Sequence, residues 1–251
     1  MADTPLVLLH GWGMTPRIWN GLRICLSPRI AATPALPGHG SPASPGPELA
    51  AWGDALLAEL PDACVLGGWS LGAMIALDIA RRHPQRVRSL VLFGATPRFV
   101  SQPETLHEPA WAHGLDAATV DGFIAGFAAD AETTLRRFLA LQAMGESRRR
   151  GVVHSLGRAV VAPDEADAAT LADGLAILAN TDLREAIAGI DVPTTLIHGR
   201  DDALMPLGAA EWLARTLPDA RLTVLDDCGH APFVSRPEEC ARAMAGALPD
   251  D

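Results

Sequence analysis

A serine hydroxyl attacks an ester carbonyl only when a base removes its proton, and Ser70 sits where such an arrangement could be built, in Gly68-Trp69-Ser70-Leu71-Gly72. An apolar run precedes this pentapeptide and a helical apolar spacing follows it. A sharp strand-to-helix turn crowds backbone against the serine, and glycines avoid the clash because they carry no Cβ. The helix N-terminus beneath supplies backbone N–H groups and a partial positive charge where an oxyanion develops. The same five residues could form an ordinary glycine-rich turn; the flanking strand and helix favour the nucleophile.

Such a serine needs a histidine base and a carboxylate that fixes the histidine tautomer, expected in the order Ser, Asp, His. Of the eight histidines, only His198 and His230 follow the long helical stretch in the second half of the chain. His198 ends a strand and is expected in a packed environment. His230 follows Asp227-Cys228-Gly229 in a loop after the last strand, where it can reach a cleft, and it is the expected base. The acid belongs to the loop Gly199 to Pro206, where Asp201 and Asp202 compete. Asp202 is preferred because it stands three residues after Gly199 and four before Pro206; Asp201 is expected to cap or to pair with Arg200. Asp226 and Asp227 share the tight loop of His230 and are poorly placed to orient it.

A second oxyanion donor is expected from His10-Gly11-Trp12-Gly13, with the backbone N–H of Trp12 and Leu71 converging on the carbonyl oxygen and the Trp12 indole walling the acyl pocket. His10 is read as a residue that fastens this loop, not as a base.

These groups need a scaffold that presents loops at one edge. Short apolar strands are expected at Pro5–His10, Arg29–Thr33, Ala63–Gly67, Val87–Phe93, Thr194–His198 and Arg221–Leu225. Helices are expected at about Glu48–Leu60 and at Leu71–Arg82, and after each of the last two strands. The glycines and prolines of Leu36 to Pro42 exclude regular structure there. Strands alternating with helices imply an α/β fold, a mostly parallel sheet covered on both faces. The alternation stops between about Arg98 and Ala188, where helices are expected near Ala117–Ala129, Glu132–Ala143, Arg148–Val161 and Glu165–Leu178. This divides the chain into a core of residues 1–97 and 189–251 and an inserted helical cap, residues 98–188.

Composition narrows the function. The chain has 251 residues, 49% of them hydrophobic, enough for one sizeable core. All 20 basic residues are arginine and net charge is -10, which disfavours nucleic-acid binding and excludes lysine chemistry. Cys25, Cys64, Cys228 and Cys240 lack metal-ligand or paired spacing, so free thiols and no metal site are expected. No apolar run is long enough to span a bilayer, and Met1 to Pro5 lack the basic start of a secretory signal. A cytoplasmic monomer without a membrane partner or a cofactor is the expectation.

Together these motifs resemble the α/β-hydrolase fold over nearly the whole chain. More narrowly, Leu6 to Met14, Gly67 to Gly72, Arg137 to Gly145 and Gly229 to Ser235 resemble the pimeloyl-[acyl-carrier protein] methyl ester esterases of biotin synthesis, the BioH family. The resemblance implies a serine carboxylesterase that frees methanol from a carrier-bound pimeloyl methyl ester. It also implies substrate contacts at Trp12, Ser70, Leu71, Phe138, Leu139, Ala140, Leu141 and Gln142. Arg136, Arg137, Arg148, Arg149, Arg150 and Arg158 against Glu132 and Glu146 leave this region basic, suited to an acidic acyl carrier protein. Arg137, Arg148, Arg149 and Arg150 are the docking candidates. Arg137 and Arg150 match arginines of the family, while Thr133 and His154 stand where it has others. The chain departs from the family in its short N-terminus, without the antiparallel edge strands of many relatives, and in lacking an aspartate before Pro37-Gly38. A general carboxylesterase or lactonase without a carrier fits the same residues, and a hydrolase-fold binding module is the remaining reading.

Overall fold

The computed structural model describes residues 4–27, 29–41, 46–106, 109–162 and 164–248. The expected features at Met1 to Asp3 and at Pro42 lie outside the described residues.

Six short apolar runs form one sheet: β1 (Leu6–Leu9), β2 (Ile30–Ala32), β3 (Cys64–Trp69), β4 (Val87–Phe93), β5 (Thr194–Gly199) and β6 (Ala220–Leu225). Their order is β2-β1-β3-β4-β5-β6, and every neighbouring pair is parallel. Side chains alternate across a strand, so each run feeds two cores. Leu6, Leu8, Val65, Val91, Phe93 and Ile197 enter one, and Val7, Leu9, Leu66, Leu90, Leu92 and Leu196 enter the other.

The first core is covered by α1 (Asn20–Leu26), an element absent from the sequence expectation although Trp19, Leu22 and Leu26 have helical spacing. The second core is covered by α2 (Leu49–Leu57) and α3 (Leu71–Arg82). After β4 the described chain runs through α4 (Ala117–Ala129), α5 (Ala131–Gln142), α6 (Arg149–Gly157) and α7 (Ala168–Asn180). Their starts are set chemically. Asp116, Asp130 and Asp167 each accept the backbone N–H of a threonine three residues on, which caps α4, α5 and α7. The caps explain why α5 begins before Glu132 and α7 well after Glu165. The segment that carries these helices leaves and returns at one point, where Arg98 Nη1 lies 2.6 Å from Asp182 Oδ2 and Leu183 donates its N–H to the Pro97 carbonyl at 2.9 Å.

Beyond it, α8 (Arg184–Ile187) and α9 (Leu207–Thr216) join the second core, while α10 (Pro232–Ser235) and α11 (Pro237–Met244) complete the first. No helix among the described residues is long and apolar enough to cross a membrane.

One ion network ties α2 to α3. The buried Asp78 accepts from Arg82 Nε at 2.7 Å and from Arg81 at 2.8 Å, and Arg82 continues to Asp54 at 2.5 Å and the Ala50 carbonyl at 2.9 Å. Removing Asp78 leaves a half-buried guanidinium without its inner partner. Asp78→Ala is expected to cost about 2–4 kcal/mol in urea unfolding, with turnover of the folded fraction unchanged.

Candidate active site

Ser70 follows β3 and opens α3, and its backbone is forced: φ is 58° and ψ is -119°, a region non-glycine residues rarely occupy. The turn closes because its flanks have no Cβ. One built on Gly72 would lie 2.4 Å from the carbonyl oxygens of Leu9 and His10, and one on Gly68 would lie 2.3 Å from that of Gly72. The side chain is therefore presented at the end of the sheet, at the positive end of a twelve-residue helix.

The strand ends beside it bring the other groups in. Ser70 donates its N–H to the Phe93 carbonyl at 3.1 Å, and a Cβ on the next residue, Gly94, would lie 2.9 Å from His230 Nδ1. Asp202 Oδ2 lies 2.7 Å from His230 Nδ1. Its Oδ1 accepts the N–H groups of Leu204 and Met205, both at 2.9 Å. Of the two competing aspartates, it is Asp202 that meets the histidine. Asp201 is exposed, and Arg200, its expected partner, instead holds Asp226 at 2.5 Å. Burial alone would raise the Asp202 carboxyl, but His230, His198 and the Met205 N–H outweigh it and keep the group below the usual carboxylate range.

With Nδ1–H donated to a carboxylate, His230 Nε2 carries a lone pair. That nitrogen is buried and has no hydrogen-bond partner among the described residues, Ser70 included. The ring rests against Trp69, with centroids 5.4 Å apart, and the Trp69 indole N–H donates to the His230 carbonyl at 2.8 Å. The residue between Gly68 and Ser70 thus fixes the backbone of His230, a contact invisible in the sequence.

His198 lies in β5, almost fully buried, and donates Nε2–H to the Met205 carbonyl at 2.7 Å, with Asp202 Oδ2 at 3.5 Å. Burial lowers its pKa against the pull of Asp202. His10 accepts the Leu36 N–H at Nε2, 3.0 Å away, and donates Nδ1–H to the Gly11 carbonyl. His39, to which the sequence assigned no role, accepts the Gly13 N–H at 2.9 Å. Both imidazoles fasten the loop after β1, and burial drives their pKa down, to about 3 for His10 and about 4 for His39.

That loop touches the serine: a Cβ on Gly11 would lie 3.2 Å from Ser70 Cβ. The backbone N–H groups of Trp12 and Leu71 enter no loop or cap hydrogen bond among the described residues. The Trp12 indole N–H is committed to the Leu171 carbonyl at 2.7 Å, and Phe123, Phe127 and Phe138 stand edge-on around the ring.

The expected contact run Phe138 to Gln142 is divided by its helix, because residues three and four apart share a face. Phe138 and Leu141 line an apolar slot with Phe123, Leu178 and Leu204, whereas Leu139 lines a separate cavity of about 460 Å³ with Leu135 and Leu171. The Ala140 carbonyl accepts from Arg149 at 3.3 Å. Gln142 is fully buried, with both side-chain polar atoms unpartnered among the described residues, and its backbone carbonyl accepts the His230 N–H at 3.2 Å. Arg137, Arg148, Arg149 and Arg150 are exposed and form no ion pair among the described residues, while Arg136 pairs with Glu132. Glu146 does not share that surface: it is buried against the His230 loop. Among the described residues, no three His, Cys, Asp or Glu side chains converge as metal ligands.

The buried histidines have a thermodynamic consequence. His10 and His39 stay neutral when folded but bind protons below about pH 6.5 when unfolded, so folding stability is full above that pH and falls as pH drops toward 4. Each contributes a slope of roughly 1.4 kcal/mol per pH unit in that window. Urea unfolding between pH 4.5 and 8 should show it, with the slope reduced by one proton in His39→Gln.

A family model described as the alpha/beta hydrolase family matches residues 6–243. A pimeloyl-[acyl-carrier protein] methyl ester esterase of Aromatoleum aromaticum is 56% identical over 96% of each chain. One of Nitrosomonas europaea is 38% identical over 93% of this chain and 91% of its own. Among solved structures, an esterase from Exiguobacterium antarcticum superposes with a TM-score of 0.80 at 22% identity, covering 97% of this chain and 91% of that one. From the forced serine turn to these full-length matches, the chain belongs to the α/β-hydrolase family.

Proposed function

We propose that the chain is a serine carboxylesterase that hydrolyses the methyl ester of pimeloyl-[acyl-carrier protein] in biotin synthesis. The observation that carries the reading is the full-length identity to the Aromatoleum aromaticum esterase, joined to a paired Asp202 and His230 beside a forced serine turn.

In this reading Ser70 Oγ attacks the ester carbonyl as its proton passes to His230 Nε2. Asp202 stabilises the imidazolium. The N–H groups of Trp12 and Leu71 receive the oxyanion. Collapse breaks the bond to methoxide, which leaves as methanol with the proton from His230. Water then attacks the acyl-serine with His230 again as base, releasing the free carboxylate and restoring Ser70. The slot lined by Phe138, Leu141 and Leu204 is apolar, as a methylene chain requires, and the buried Gln142 amide, unpartnered among the described residues, keeps its NH2 donors and its carbonyl acceptor uncommitted. Residues 98–188 then act as a cap over a core of residues 1–97 and 189–251.

The acyl carrier protein is proposed to dock on Arg137, Arg148, Arg149 and Arg150. Three of these stand at the start of α6, where a helix is already positive, so their placement concentrates the field instead of neutralising it. A cytoplasmic, monomeric enzyme without a cofactor completes the proposal.

Ser70→Ala is expected to abolish labelling by a fluorophosphonate and to lower turnover about 10⁴-fold or more, and Asp202→Asn to lower kcat about 10³- to 10⁴-fold. Retained labelling of Ser70→Ala overturns the nucleophile. Replacing Arg148, Arg149 and Arg150 by glutamine should reduce kcat/KM for the carrier-bound ester about tenfold or more, in a salt-sensitive way. A small soluble methyl ester should be turned over as before. Carrier-ester turnover untouched by these changes overturns the docking surface.

A further inference from the structure

We propose that Glu146, in the turn between α5 and α6, is a positioning residue for the base: it holds the His230 loop in register with Ser70 and Asp202. The proposal rests on the serine-esterase reading and assigns to it a group from the insertion, outside the loops that carry the triad.

Glu146 is only 8% exposed, although it stands in a turn beside a run of arginines. One of its oxygens, Oε1, accepts the Gly229 N–H at 3.0 Å and the Ser235 hydroxyl at 3.0 Å, with Cys228 Sγ at 3.7 Å. These donors bracket His230 along the chain. Among the described residues the partners of this carboxylate are neutral groups of Gly229, Ser235 and Cys228, so its desolvation is offset by hydrogen bonds from the segment around His230. A turn that merely closed between two helices would gain nothing from burying a carboxylate there.

The rest of the turn reinforces this contact. Gln142 accepts the His230 N–H, and a Cβ on Gly229 would lie 2.3 Å from the Met144 carbonyl. Gly145 has φ of 80°, and a Cβ there would lie 2.3 Å from Asp201 Cβ and 2.5 Å from its carbonyl oxygen. The segment 142–146 is therefore wedged between the loop of the acid and the loop of the base. Together with the Trp69 indole on the His230 carbonyl, it leaves the imidazole backbone no free hydrogen-bonding group. Among the described residues, no other acceptor holds the Gly229 N–H.

Misplacement of a catalytic group by about 1 Å costs on the order of 10²-fold in rate. Glu146→Ala is accordingly expected to lower kcat for a small soluble methyl ester about 10- to 100-fold, with KM changed less than about twofold. Glu146→Gln, which keeps an acceptor for Gly229, should recover most of the loss. The downfield proton resonance of His230 Nδ1–H on Asp202 should broaden or vanish in Glu146→Ala and return in Glu146→Gln. In the unmutated protein, the Gly229 and His230 amides should resist hydrogen exchange as strongly as amides of β5. That measurement decides the matter even if the alanine variant does not fold.

An unchanged kcat and His230 resonance in a folded Glu146→Ala variant overturns the proposal. So does exchange of the two amides at loop rates, or failure of glutamine to restore the resonance. Failure of the esterase reading would appear separately, as retained turnover in Ser70→Ala, and neither the resonance nor the exchange depends on turnover.

Discussion

Everything at this site depends on backbone lying against backbone more closely than a methyl group allows. At the end of β5, a Cβ on Gly199 would stand 2.1 Å from the Gly229 carbonyl, and at the start of α3 one on Gly72 would strike the end of β1. Loops seated this closely inherit their positions from the strands. The register pairs Trp69 with Phe93 and Phe93 with Ile197, so the serine turn, Gly94 and the acid loop leave the sheet at one level. The geometry of three side chains far apart in sequence thereby reduces to the register of hydrogen-bonded parallel strands.

The same region separates one histidine from the others by protonation chemistry. His10, His39 and His198 are buried, and each has its ring committed to backbone groups. Desolvation keeps all three neutral, and they work as fixed brackets for the loops around Ser70 and Asp202. His230 alone among them faces a carboxylate at 2.7 Å through one nitrogen and leaves the other without a partner. One ring among these imidazoles thus combines a carboxylate contact with an uncommitted nitrogen, the arrangement that the proposed base requires.

Much of this was legible in the sequence where function or local geometry constrains neighbours along the chain. The pentapeptide around Ser70, the alternating strand runs and α3 over Leu71–Arg82 all follow from short-range rules. Asp202 over Asp201 was legible as a spacing, and the carboxylate contact gives that spacing its physical content. What could not be read depends on contacts between distant segments. His39 reaches Gly13 across 26 positions, Glu146 reaches Gly229 across 83, and Trp69 reaches His230 across 161. No local pattern distinguishes a buried Glu146 from a surface acid among arginines, and the sequence placed it on the basic face. The run Phe138 to Gln142 reads as one recognition element in one dimension, but a helix turns its members to different surroundings.

The stapled ends of the segment that carries α4 to α7, Arg98 to Asp182 and Pro97 to Leu183, give it the outward form of an interchangeable module. A segment that departs and returns through one gate can grow, shrink or be replaced while the sheet keeps its register. The turn at 142–146 sets the limit to that freedom. Because it clasps both the Asp201 and the Gly229 loops, a foreign insertion inherits an obligation along with the gate. To be an exchangeable part in the lineage of this enzyme, it must bring its own hand to hold the histidine.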